Sequence, residues 1–229
     1  MKKFLTVALA GVLAASMLFT GCSKKAESKV PDKLIVGTNA EFPPFEYMND
    51  KKQPEGFDIA MIKEIGKRMG KKVEIKNMEF KSLIGAMESD SINAIIAGMT
   101  KTEKREKAVD FSDSYYTTNQ AIILKKDSKI TKLAQLDGKK IGVQEGTTGD
   151  LISSGDKFGD GKKAKVLVKG AKVKRFKKGV DAVMDLKNGS VDAVVIDELT
   201  ANEFVKKNAK KLKIVIDSAG SEYYCIALT

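Results

Sequence analysis

The chain predicts an α/β fold made of two similar lobes joined by an extended crossing. Three observations carry this. Short β-branched runs alternate with amphipathic stretches, the pattern of strands linked by helices. The alternation runs from Leu34 to Ile96 and starts again at Ile141. Between the two sets lies an extended stretch through Ala121-Ile-Ile-Leu124. Two such sets imply a cleft between them, and in open α/β sheets a ligand sits beyond the carboxyl ends of the strands.

The elements follow in order. Met1–Lys3 is a positive n-region, Phe4–Phe19 an apolar core and Thr20-Gly-Cys22 a run of small residues ending in cysteine. The core is marginally short for a membrane span, and small residues before a cysteine resemble a lipobox, the bacterial lipoprotein signal, although Phe19 stands where leucine is usual. The expectation is a signal peptide over 1–21, a Cys22 carrying acyl chains, palmitate among them, and a polar tether over 22–32. Leu34–Val36 is a first strand, followed by a loop through Pro43-Pro44. Phe57, Ile62, Ile65 and Met69 predict one buried face of a helix. Val73–Met78 reads as strand, Leu83–Met87 as helix and Ala94–Ile96 as strand. Thr100 and Glu103 stand at capping-box spacing, which predicts a helix beginning there. From Ile141 come a strand to Val143, a helix from Thr147, a strand near Val173 and a helix over Val180–Leu186. A strand at Ala193–Ile196, a helix at Leu199–Val205 and strands at Leu212–Ile216 and Tyr223–Thr229 complete the chain. The expected division is 33–120 for lobe 1, 121–222 for lobe 2 and 223–229 for a returning strand.

Composition removes several function classes. There is no histidine, so the usual general base and a His/Cys zinc site are absent. No metal or cofactor is expected. Past Cys22 only Cys225 remains, so no intrachain disulfide forms, and its apolar neighbours predict a buried strand thiol. The formal charge is +11, from 41 basic and 30 acidic residues. The lysines are scattered, and no tryptophan or aromatic platform interleaves them. This excludes a nucleic-acid reading and fits a solvated surface.

The chemistry concentrates at Ala97-Gly-Met-Thr-Lys-Thr-Glu-Lys-Arg105. Gly98 lets a ligand approach the backbone, and the N–H groups of a new helix favour an anion. Arg105 is one of three arginines among 41 basic residues. Its planar fork grips a carboxylate in a way lysine cannot. The alternative is an ordinary surface helix carrying one arginine.

Gly37-Thr-Asn-Ala-Glu-Phe-Pro-Pro-Phe-Glu46, Gly56-Phe-Asp58, Phe80-Lys-Ser-Leu-Ile84, Ala97-Gly-Met-Thr100 with Arg105, Asp110-Phe-Ser112, Val143-Gln-Glu-Gly-Thr-Thr148 and Val191-Asp-Ala-Val-Val-Ile-Asp197 resemble the polar amino-acid substrate-binding proteins of ABC importers. The resemblance runs from about Lys33 to the last residue. It implies a type II periplasmic-binding-protein fold with two crossing hinge strands, closing as a monomer around a free polar amino acid such as arginine, lysine or glutamine. By the same resemblance, Arg105 clamps the α-carboxylate with help from Thr100 and Thr148. Asp197 accepts from the α-ammonium with the Gly98 carbonyl and Thr100 as helpers, Ala97 belongs to the same site, and Phe42 and Phe80 sandwich the side chain. Asn39, Glu41 and Gln120 are candidates for its polar end. Asp197 also reads as a helix N-cap, and Phe80 as core.

The implied protein is not an enzyme. It is a lipoprotein on the outer face of the cell membrane, or in the periplasm, handing its ligand to permease subunits. Asn93 and Ala60 depart from the family pattern at positions that read as structural. The family also adds helices after the returning strand, so the expectation is either a fragment or a lobe 1 that lacks part of its cover. A dehydratase of the cyclohexadienyl type on the same scaffold is the competing reading, and it has no use for an acid facing an ammonium.

Overall fold

The computed structural model describes residues 32–155, 168–216 and 221–229. The signal peptide, Cys22 and the tether as far as residue 31 lie outside the described residues.

In lobe 1, strand β1 (Lys33–Thr38) leads into a small sheet of β2 (Glu41–Phe42), β3 (Glu46–Met48) and β4 (Pro54–Glu55). Helix α1 (Phe57–Arg68), β5 (Lys72–Asn77), α2 (Leu83–Glu88), β6 (Ala94–Ile95) and β7 (Asp110–Phe111) follow. β1 pairs in parallel with β5 and β6. The side-chain period of two sorts this sheet cleanly. Leu34, Val36, Ala94 and Ile96 pack with Ile62 of α1, whereas Ile35 and Ile95 pack with Leu83 and Met87 of α2. Asn93 accepts from the Ile35 N–H, a structural role.

The crossing consists of β8 (Tyr116–Thr118), which continues directly into β9 (Gln120–Lys125). Lobe 2 adds β10 (Lys140–Gln144), α3 (Thr148–Ser154), β11 (Lys172–Phe176), α4 (Gly179–Asn188), β12 (Ala193–Asp197), α5 (Glu198–Lys206) and β13 (Leu212–Ile216). The sheet order is β11-β10-β12-β9-β13, with β9 antiparallel to its neighbours. Alternation again decides the faces. Ala121, Ile123, Val194 and Ile196 meet α4 and α5, while Ile122, Leu124, Ala193 and Val195 meet Leu133 and Leu136. The return is two short strands in place of one. β14 (Glu222–Tyr224) pairs with β8, and β15 (Ala227–Leu228) inserts between β6 and β7 of lobe 1. Cys225, between them, is buried and free. Among the described residues no helix is long and apolar enough to cross a membrane.

Two local expectations are corrected. On α1 the buried face is Ile59, Ile62 and Gly66, with Phe57 52% and Met69 46% exposed. Met69 stands past the last helical residue, and Phe57 packs its ring against Phe45 and Tyr115 at the helix start. No helix begins at Thr100. Thr100 bridges Tyr224 and its hydroxyl donates to Glu222, so neither its backbone nor its side chain is available to cap. The Thr102 hydroxyl instead accepts from the Arg105 N–H, ahead of a single 3-10 turn over Arg105–Lys107.

Candidate ligand-binding site

The loops after β1, β6, β10 and β12 meet around a nearly closed space of about 10 Å³, far below the roughly 300–1,000 Å³ of open small-molecule sites. Its walls are Asn39, Phe42, Phe80, Ala97, Gly98, Thr100, Arg105, Gln144, Thr147, Thr148 and Asp197. Every candidate residue except Glu41 and Gln120 therefore lines one space.

Gly98 sits where only glycine fits without strain. Its φ is +50°, and an added Cβ would stand 3.1 Å from the Phe42 ring and 3.3 Å from Tyr224. Its N–H donates to Asp58, which fixes the loop over the sheet. Arg105 is buried, and its guanidinium donates to the Thr100 carbonyl of lobe 1 and the Gly146 carbonyl of lobe 2. These bonds use two of its five N–H donors, so the guanidinium keeps capacity for a carboxylate. Burial lowers Arg105 to about 10, against the nearby Glu222 and Asp197 carboxylates, so it remains charged at neutral pH. The guanidinium stacks over Phe80 at 5.2 Å, which gives Phe80 a role in holding Arg105. The Gly146 loop is braced in turn. Gly146 N–H donates to Asp150, whose carboxylate accepts from Arg175.

Asp197 stands at the N-cap position of α5 but makes no side-chain cap bond. Its Oδ1 is buried with no hydrogen-bond partner among the described residues. Burial pushes its carboxyl up to about 8, and the neighbouring Glu222 adds to the rise. A buried acid in that condition favours a cation beside it.

Two candidates lie outside this space, and Asn39 lines it with its amide already engaged. Glu41 turns outward to an ion pair with Lys178 at 2.7 Å. Gln120 lies behind the wall, donating to the Thr148 hydroxyl. Asn39 donates to the Met78 carbonyl and accepts from Gln144, so its amide joins the two lobes and is already engaged. Gln144, Thr147 and Glu222 escaped the sequence reading. The first two belong to the Gln144–Thr148 strand end, where position alone marks them. Glu222 carries no such signal, because only the folding of β14 against β8 brings it here.

Known proteins share the fold and much of the sequence. Residues 34–222 match the bacterial extracellular solute-binding proteins, family 3. The chain is 35% identical over 224 residues to the arginine-binding extracellular protein ArtP of Bacillus subtilis (strain 168), covering 97% of this chain and 83% of ArtP. An ancestral arginine-binding protein bound to arginine superposes with a TM-score of 0.77 at 43% identity, covering 86% of this chain and 84% of that one. The same kind of ancestral protein bound to glutamine gives 0.77 at 42%, covering 87% and 84%. With the matched segment spanning most of the chain and both lobes, this protein belongs to the bacterial extracellular solute-binding proteins, family 3.

Proposed function

We propose that the chain is the substrate-binding lipoprotein of an ABC importer, anchored through acylated Cys22 on the outer face of the membrane. It captures a polar amino acid, arginine first, and passes it to the permease. The observation that carries this is the convergence of Arg105 and Asp197, from different lobes, on one enclosed space. A buried guanidinium with spare donors and a buried carboxyl with one unpartnered oxygen suit the two charged ends of a free amino acid. The relatives named for arginine support the same ligand. Glutamine is the second reading, favoured by the glutamine-bound ancestral protein and by the outward turn of Glu41, which leaves the side-chain end without an obvious counter-charge.

A thermal-shift screen of the twenty amino acids and prephenate tests this. Ligand at a hundred times its Kd stabilises by about 2.7 kcal/mol. Arginine, glutamine or lysine is expected to give the largest shift. Prephenate alone giving a shift would transfer the chain to the dehydratase reading.

A further inference from the structure

Glu222 lies on β14, one of the two strands that connect the lobes. Its Oε2 accepts from the Thr100 hydroxyl of lobe 1 at 2.8 Å and from the Thr148 hydroxyl of lobe 2 at 2.6 Å. Gln120 donates to that same Thr148 hydroxyl, which orients its proton toward Glu222. Both threonines line the same space as Arg105, where the α-carboxylate of the ligand is proposed to sit. A hydroxyl has a single proton to give, so Thr100 and Thr148 cannot serve Glu222 and a second carboxylate together.

We propose that Glu222 is an internal carboxylate that occupies the anion subsite and must be displaced by the carboxylate of the incoming amino acid. This inference rests on the ligand reading above and adds to it a residue that lowers affinity by competition. The geometry gives the device two effects. While in place, Glu222 ties Thr100 to Thr148 and so links the lobes. It also supplies a counter-charge for Arg105, whose guanidinium would otherwise be buried with its charge less well compensated. An incoming carboxylate repeats both services and adds the ammonium contact to Asp197. Because only the fraction of molecules with Glu222 moved aside accepts the ligand, the observed Kd is weaker than the intrinsic one by that fraction.

The test is calorimetric titration of arginine into the full-length chain and its Glu222→Ala and Glu222→Gln variants, with acetate as an independent probe. Glu222→Ala is expected to bind arginine about tenfold or more tighter than wild type, as removal of a displaced competitor demands. Glu222→Gln, which keeps the shape and loses the charge, is expected to fall between them. Acetate is expected to raise the melting temperature of ligand-free Glu222→Ala and to compete with arginine there, while leaving wild type unmoved. Equal or weaker arginine binding in both variants overturns the proposal and makes Glu222 a structural acid or a contact to the ligand ammonium. Should wild type bind no amino acid, the transport reading fails, yet acetate protection of Glu222→Ala alone would still uphold the subsite. Acetate acting equally on wild type and Glu222→Ala would overturn it.

Discussion

At the scale of single residues, a buried guanidinium and a buried carboxyl from opposite lobes meet in the candidate site. Arg105 is held by two backbone carbonyls and by the Phe80 ring, so its direction is set before any ligand arrives. Arg105→Lys is expected to cost about 3–5 kcal/mol of binding, because breaking a buried bidentate pair leaves a charge unmatched. The variant is expected to remain folded, with an unchanged circular dichroism spectrum, and calorimetry within threefold of wild type would remove the clamp. Asp197→Asn is expected to cost about 2–5 kcal/mol of ligand affinity. Its folded stability is expected to hold or rise, because a buried carboxyl with an unpartnered oxygen is exchanged for a neutral amide and no cap bond is lost. Chemical denaturation showing a loss of stability with affinity intact would make Asp197 structural. Sequence alone left Asp197 open between N-cap and ligand contact. Only the direction of its side chain separates the two.

At the scale of elements, the strands were legible because strands buried on both faces leave short continuous β-branched runs in the sequence. β1 and β12 read directly from Leu34–Val36 and Ala193–Ile196. The turn at Thr100 was misread because its capping-box spacing is a local signal, and a tertiary pairing to β14 overrode it. Glu222 was invisible for the same reason. Its place depends on a return strand closing over more than a hundred residues. Across the cleft, three ion pairs among the described residues join elements of different lobes: Glu41 to Lys178, Glu79 to Lys177 and Lys81 to Glu145. All are partly exposed, and each is worth about 0–1 kcal/mol. Closure is therefore expected to weaken only modestly with salt, with ligand affinity falling by less than about tenfold between low and high ionic strength. A larger loss in salt-series calorimetry would move the main closing force from the site to the cleft rim.

At the scale of the whole molecule, buried acids tie the fold to pH. Burial raises the Asp197 carboxyl to about 8 and also raises Glu46 and Asp58, which lie close together beneath the site. Unfolded carboxylates titrate near about 4. A group whose pKa is raised on folding contributes stability that is fully present below its unfolded pKa and lost as pH climbs through its folded one. The ligand-free melting temperature is therefore expected to fall from about pH 5 toward pH 8 and above. A melting temperature that rises across this range would contradict the assignment of these carboxyls. Bound ammonium favours the ionised Asp197, so the stabilisation by ligand is expected to grow over the same interval. The central claim, that the protein recognises the carboxylate and ammonium shared by all amino acids through Arg105 and Asp197, is tested most directly by comparing arginine with agmatine, its decarboxylated analogue. In calorimetric titrations at neutral pH, agmatine is expected to bind at least about a hundredfold more weakly, since Arg105 is left without its partner. Agmatine binding within threefold of arginine would show that the pocket reads the guanidinium end alone, and the claim would fall.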